Sequence, residues 1–404
     1  MAVQDAGHID DQAKVAFFND PKVRSWIYQI LLVVFLGWLI WSIKTNVSEN
    51  LEAQSIATGW GFLSTTAGFA IIQKLAFYNE ASSYGRALWI GFLNTLMMAF
   101  VGVIFATILG FIVGIARLSS NWIIARIATV YIEVIRNIPL LLQIFFWYFA
   151  ALRALPGKRD KISLFDTFHL NITGFKMPAP VFGPGSWIVG VALILAIAGI
   201  VYLRRWAKQR QMEKGEQFPV FRASLGIFII VLLIAYFLAG MPISLEYPEF
   251  VTDGAIFKQG FTLGVGANLT PEFIALFLAL VIYTAAFIGE IVRAGIMAVA
   301  KGQSEAAHAL GLSNGFTLRL VIIPQAMRVI IPPLISQYLN LTKNSSLAVA
   351  IAYPDLVAVG GTVLNQTGQA IEIVALWMVI YLAISIVISL IMNWYNNSIA
   401  LVGR

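Results

Sequence analysis

Eight long hydrophobic stretches, separated by polar and basic connectors, dominate this chain. They fall at about 26–43, 88–116, 127–152, 186–203, 221–240, 272–299, 329–351 and 371–395. About 20 apolar residues in a helix cross roughly 30 Å of hydrocarbon. Each stretch therefore predicts a membrane-spanning helix, with the fourth near the short limit. The seventh is the most interrupted, by Pro332-Pro333 and by the polar run Thr342-Lys343-Asn344-Ser345-Ser346. Gly/Pro-rich connectors occupy 154–185 and 241–270. The pattern reads as an all-α, polytopic membrane protein of about eight transmembrane helices.

Composition supports that reading and removes others. Of 404 residues, 59% are hydrophobic and 12% are charged, against roughly 25% charged in an average soluble domain. So large an apolar excess cannot all be core and must face lipid. Cysteine is absent, which excludes a disulfide framework and thiolate chemistry. The polar first 25 residues lack the apolar core and cleavage site of a secretory signal. The net charge of +7 is explained by topology rather than by nucleic acid, because the cations lie between the apolar stretches. With a cytoplasmic N-terminus, the inner segments carry sixteen Lys and Arg and the outer segments nine, five of these in the single loop 153–185. The bias predicts both termini inside.

Between the sixth and seventh spans lies Glu305-Ala306-Ala307-His308-Ala309-Leu310-Gly311, followed after nine residues by Val321-Ile322-Ile323-Pro324. Adjacent alanines let a partner backbone approach closely, and Gly311 can adopt the left-handed conformation that ends a helix. This order resembles the cytoplasmic coupling loop of the membrane subunits of bacterial ABC importers. Further motifs extend the likeness. Gly91-Phe92-Leu93-Asn94-Thr95-Leu96, Gly110 with Gly114, and Tyr131 to Gln143 resemble the first two core helices of the polar amino acid permeases of the histidine/glutamine-type branch. Tyr283-Thr284-Ala285-Ala286-Phe287 with Glu290 and Arg293, and Lys343-Asn344-Ser345-Ser346-Leu347-Ala348, resemble the later core helices. Asn137-Ile138 stands where that branch has glycine-threonine before the proline. The likeness covers roughly 87–152 and 270–396. One extra span before the core and two within 153–270 resemble the layout of the larger permease subunits of general L-amino acid importers.

That resemblance implies a type I ABC importer-like core in four parts. They are a tail, first helix and outer loop at 1–86, a first core part at 87–152, an insert with two extra helices at 153–270, and a second core part at 271–404 whose coupling loop spans 300–324. It implies a multi-pass subunit of the bacterial inner membrane that forms a path for L-amino acids and is no enzyme itself. The chain has no G-x-x-x-x-G-K-[ST] stretch to hold nucleotide phosphates. ATP and Mg would be used by separate ATPase subunits docked on Glu305, Ala306, Ala307, Gly311 and Pro324. The other implied partners are a second, different permease chain, a periplasmic amino acid-binding protein and membrane lipid; no cofactor would be bound by this chain.

Candidate chemistry is sparse. Glu133 and Arg136 share one helical face, as do Glu290 and Arg293. Each pair either neutralises itself and locks packing or lines a hydrophilic path with Asn137. Lys343, Asn344 and Ser345 beside Pro332-Pro333 fit a kinked helix along that path, or hydrogen bonding to a neighbouring helix. Gly110 and Gly114 suit close helix packing. His8, His169 and His308 are too scattered for a metal site. An ion-gradient-driven amino acid transporter using Glu133 or Glu290 as a proton site, and a membrane scaffold without transport activity, are the readings that compete.

Overall fold

The computed structural model describes residues 21–53, 58–252, 259–262 and 264–399; His8 and the rest of residues 1–20 lie outside the described residues. The chain is mostly helical. Helices α1 (Pro21–Ala53), α2 (Tyr84–Arg117), α5 (Ser186–Lys214), α6 (Val220–Leu238), α7 (Pro271–Met297) and α12 (Ala370–Ile399) correspond to six of the expected spans.

The third and seventh spans are broken. α3 (Trp122–Asn137) and the segment Leu140–Ala154, which opens with α4 (Leu140–Phe145), meet at 105° rather than forming one straight helix. Pro139 has no N–H to donate, and Ile138 before it is extended, at φ −98° and ψ 125°. Gln143 repairs the break, its amide donating to the Ile135 and Ile138 carbonyls at 3.0 Å each. The seventh span begins with α9 (Asn314–Thr317), loosens into a π-helical turn over Leu318–Ile322, and continues as α10 (Ile323–Asn344). Helical winding persists through Pro332 and Pro333 and tightens to a 3₁₀ helix only at Ser345–Ile351. α8 (Lys301–Ala309) precedes α9, and α11 (Leu356–Thr367) precedes α12.

The core forms where α2 runs beside α7. A Cβ on Gly110 would lie 2.5 Å from the Ile288 side chain, and one on Gly114 2.6 Å from the Gly289 carbonyl. The G-x-x-x-G spacing is therefore a close-packing surface. Around it Ala106, Ile288, Val292, Ala326, Ile330 and Leu341 are buried.

The connectors at one end of the bundle, expected only as loop, contain eight short strands among the described residues. β1 (Ile162–Leu164), β2 (Phe168–Asn171), β3 (Gly174–Met177) and β8 (Ala267–Leu269) form an antiparallel sheet in that order, with Leu170 opposite Phe175 and Phe175 opposite Leu269. β4 (Ala179–Phe182) pairs with β5 (Ile243–Glu246), and β6 (Phe250–Val251) with β7 (Gly260–Phe261). α5 and α6 pack chiefly on each other through Ala192, Ala196, Ala207, Ser224 and Ala235. α1 is exposed throughout its apolar length.

Candidate functional site

The loop 300–324 sits at the end of the bundle opposite the sheet, between the C-terminus of α7 and the start of α10. Within it α8 ends as its sequence suggests. Gly311 is left-handed at φ +78°, its N–H donates to the His308 carbonyl at 2.9 Å, and the Leu312 N–H donates to the Ala307 carbonyl at 3.1 Å. These two bonds close a Schellman motif. Ala307 is buried against the body of the protein, whereas Glu305 and Ala306 face outward. Leu310 is 82% exposed and Phe316 58% exposed, an uncovered apolar surface on a polar loop. Gln325 donates to Gln303 at 3.2 Å and ties the loop to α10. Pro324 is exposed in the first turn of that helix.

Near the same end, the charged residues are paired differently from the sequence expectation. Glu290 and Arg293 do pair, at 2.6 Å. Glu290 also accepts from Arg117 at the end of α2. Arg117 follows Gly114 at the end of the glycine seam, and that place was the signal available in the sequence. Glu133 and Arg136 do not pair with each other. Arg117 lies 4.0 Å from the largely exposed Glu133, and the Arg136 guanidinium stacks 5.0 Å from the Phe287 ring centre. Asn137 turns back to donate to the Glu133 carbonyl at 2.8 Å. The result is one cluster across α2, α3 and α7 with three arginines and two glutamates, rather than two independent pairs.

The polar run at the end of α10 divides by exposure. Lys343 is exposed and Asn344 half-buried, while Ser345 is fully buried and donates to the Thr342 carbonyl at 2.7 Å. Close by, α2 makes a junction that sequence reading did not anticipate. Asn94 donates to the carbonyls of Gln73 at 2.9 Å and Pro354 at 2.8 Å. The Leu356 N–H donates to the Thr95 hydroxyl at 3.0 Å. Gly91 lets the chain at Asp355 approach: a Cβ there would lie 2.9 Å from the Asp355 carbonyl. The run Gly91 to Thr95 thus seats the turn entering α11, and Asp355 caps that helix by accepting from the Ala358 N–H at 2.8 Å.

Among the described residues no group of three or more His, Asp or Glu is placed to hold a metal ion. His169 is buried in the four-stranded sheet, 3.0 Å from the Ser163 hydroxyl. Burial, helped by Lys161, holds its pKa below the usual histidine value.

With eight spans, a broken third span and a looped helix between the sixth and seventh in place, comparison with known proteins becomes decisive. The family described as "Binding-protein-dependent transport system inner membrane component" matches residues 217–400. The general L-amino acid transport system permease protein AapQ of Rhizobium johnstonii is 50% identical over 385 residues, 95% of this chain and 94% of its own length. This chain belongs to the family of amino acid ABC transporter permeases. The putative amino-acid ABC transporter permease protein YhdX of Escherichia coli is 48% identical over 96% of this chain and 97% of its own length. The glutamate/glutamine/aspartate/asparagine transport system permease protein BztB of Rhodobacter capsulatus is 43% identical over 95% of this chain and 96% of its own length. All three matches run through the 153–270 insert, as expected of a larger permease of this family. The permease is a multi-pass component of the inner membrane.

Proposed function

We propose that this permease forms one half of the translocation path of an ATP-driven importer of L-amino acids and couples that path to a separate ATPase. The carrying observation is α8: a capped helix with Glu305 and Ala306 outward and the uncovered Leu310 beside it. A short rigid helix held by Ala307 can pass a rigid-body shift of an ATPase into the packed spans, and Pro324 opens the helix that receives it. On this reading the N- and C-termini and the loop 300–324 face the cytoplasm. Residues 87–152 and 271–404 are the permease core. The insert 153–270 presents its sheet to the amino acid-binding protein. A second permease of different sequence completes the path. Glu133, Arg136, Asn137, Glu290 and Arg293 line its inner end, and Lys343, Asn344 and Ser345 stand further along it. ATP and Mg are handled by the partner alone, and the chain itself is not an enzyme.

The test is co-purification from detergent-solubilised membranes, comparing the intact chain with Gly311→Asp and Glu305→Lys. Aspartate at φ +78° strains the helix end, and lysine reverses the outward charge. We expect the intact chain to retain an ATPase and both variants to lose most of it. An intact chain that retains no ATPase overturns the reading and favours an ion-gradient-driven transporter.

A further inference from the structure

At the sheet-bearing end of the core, a cavity of about 340 Å³ opens between the end of the third span, the β2–β3 turn and the first turn of α7. Its walls are Tyr148, Leu152, Arg153, Ile172, Pro271 and Glu272. That volume is at the small end of the roughly 300–1,000 Å³ typical of small-molecule sites. Two opposite charges share the cavity without pairing: Glu272 and Arg153 form no ion pair among the described residues. Glu272 is half-buried and accepts from the Tyr148 hydroxyl at 2.9 Å through one oxygen. Tyr148 thereby fixes the carboxylate against the third span. The Arg153 guanidinium rests over the Phe149 ring at 5.6 Å, and its polar edge stays available. Leu152, Ile172 and Pro271 supply apolar surface between the charges.

Opposite charges that share a cavity without pairing, one of them the exposed Arg153, gain most from a ligand that carries both complements. A purely anionic or purely cationic ligand would meet one partner and one repulsive neighbour. A zwitterion meets both, with its ammonium on Glu272 and its carboxylate on Arg153 in charge-assisted hydrogen bonds. Its side chain would contact the apolar walls, which carry no further charge to select among side chains.

We infer that this outer cavity is a binding site for the backbone zwitterion of a free L-amino acid, recognising the ammonium and carboxylate common to all of them. It gives cargo a first station on the permease itself, ahead of the charged cluster at the opposite end. The inference rests on the proposal that the cargo is an L-amino acid. It adds that the permease, and not only the binding protein, holds the cargo by its backbone groups.

The experiment is equilibrium binding of radiolabelled L-alanine to the purified permease–ATPase complex in nanodiscs, without binding protein. L-Alanine amide, which lacks the carboxylate, and propionate, which lacks the ammonium, serve as competitors. We expect L-alanine to bind and each competitor to be weaker by about tenfold or more, the size of one charge-assisted hydrogen bond. Glu272→Gln and Arg153→Gln should each weaken L-alanine binding to the same degree, and Arg153→Lys should recover part of it. Retention of the ATPase by every variant reports that it is folded. Equal binding by the intact chain and both neutral variants, or competition by either analogue as strong as that of unlabelled L-alanine, overturns the site. Should the intact complex fail to drive L-amino acid uptake with ATP and binding protein in proteoliposomes, it is the importer reading that fails. Uptake by the intact complex together with unchanged binding in the variants removes the site alone.

Discussion

Two helix pairs in this permease are both strongly apolar, yet they are built for different surroundings. In α7, 56% of the most apolar stretch is buried within the protein, against 11% in α5 and 11% in α6. Small residues line both seams. Along α2 and α7 they are glycines so tightly approached that no side chain fits, and the seam ends in the Arg117–Glu290–Arg293 cluster. Along α5 and α6 they are mainly alanines, while Gly190, Gly199 and Gly226 have nothing within 4 Å of a would-be Cβ. Hydrophobicity selects what enters the membrane. The glycines and the charges at the seam's end mark which helices pack most closely on one another.

The sharpest way to break this contrast is a pair of matched substitutions. Gly114→Leu forces a side chain into the Gly289 carbonyl and Val292, and overpacking of this kind costs about 1–3 kcal/mol or more. Gly190→Leu meets open space and should be close to neutral. Thermal unfolding midpoints in detergent should show a large drop for the first and little change for the second; equal drops would mean that the hairpin is packed as tightly as the core. A smaller effect is expected at the α11 junction. Thr95→Val leaves the Leu356 N–H without its acceptor in a buried site, a loss of about 1–3 kcal/mol, readable in the same melts.

A third test sharpens the comparison by pH. Asp355, in the connection between the seventh and eighth spans, is fully buried, and burial pushes its carboxyl from 3.8 up to about 7, opposed by backbone donors at the start of α11. The folded state therefore keeps a proton that the unfolded chain releases. Stability should fall as pH rises from about 4 to about 7, and Asp355→Asn should flatten that slope. An unaltered slope in the variant would assign the pH response elsewhere.

Much of this was legible from residues alone. Long apolar runs located the seven candidate spans and the bent pair that makes an eighth among the described residues, and the spacing from Glu305 to Gly311 foretold a capped helix. Other features escaped because their causes are distant in sequence or short in length. Strands of two to four residues leave no periodic trace in a Gly/Pro-rich connector. The expected Glu133–Arg136 pair followed from helical spacing, yet Arg117, from another helix, came between the glutamates. Asn94 and Thr95 stood in a recognisable motif without a legible task, because the backbone they hold lies some 260 positions later.

That last separation has a consequence for how the permease is made. When α2 enters the bilayer, the chain around Pro354 and Leu356 has not been synthesised. At roughly 5–20 residues per second, Asn94 and Thr95 wait on the order of tens of seconds for those partners. Gly59 waits longer still, since its N–H finds the Glu372 carboxylate 313 residues downstream. The nascent permease must therefore pass through a stage in which its first spans are inserted but not yet fastened. Insertion machinery or early neighbours that shelter Asn94 in that interval would decide how much of the chain matures.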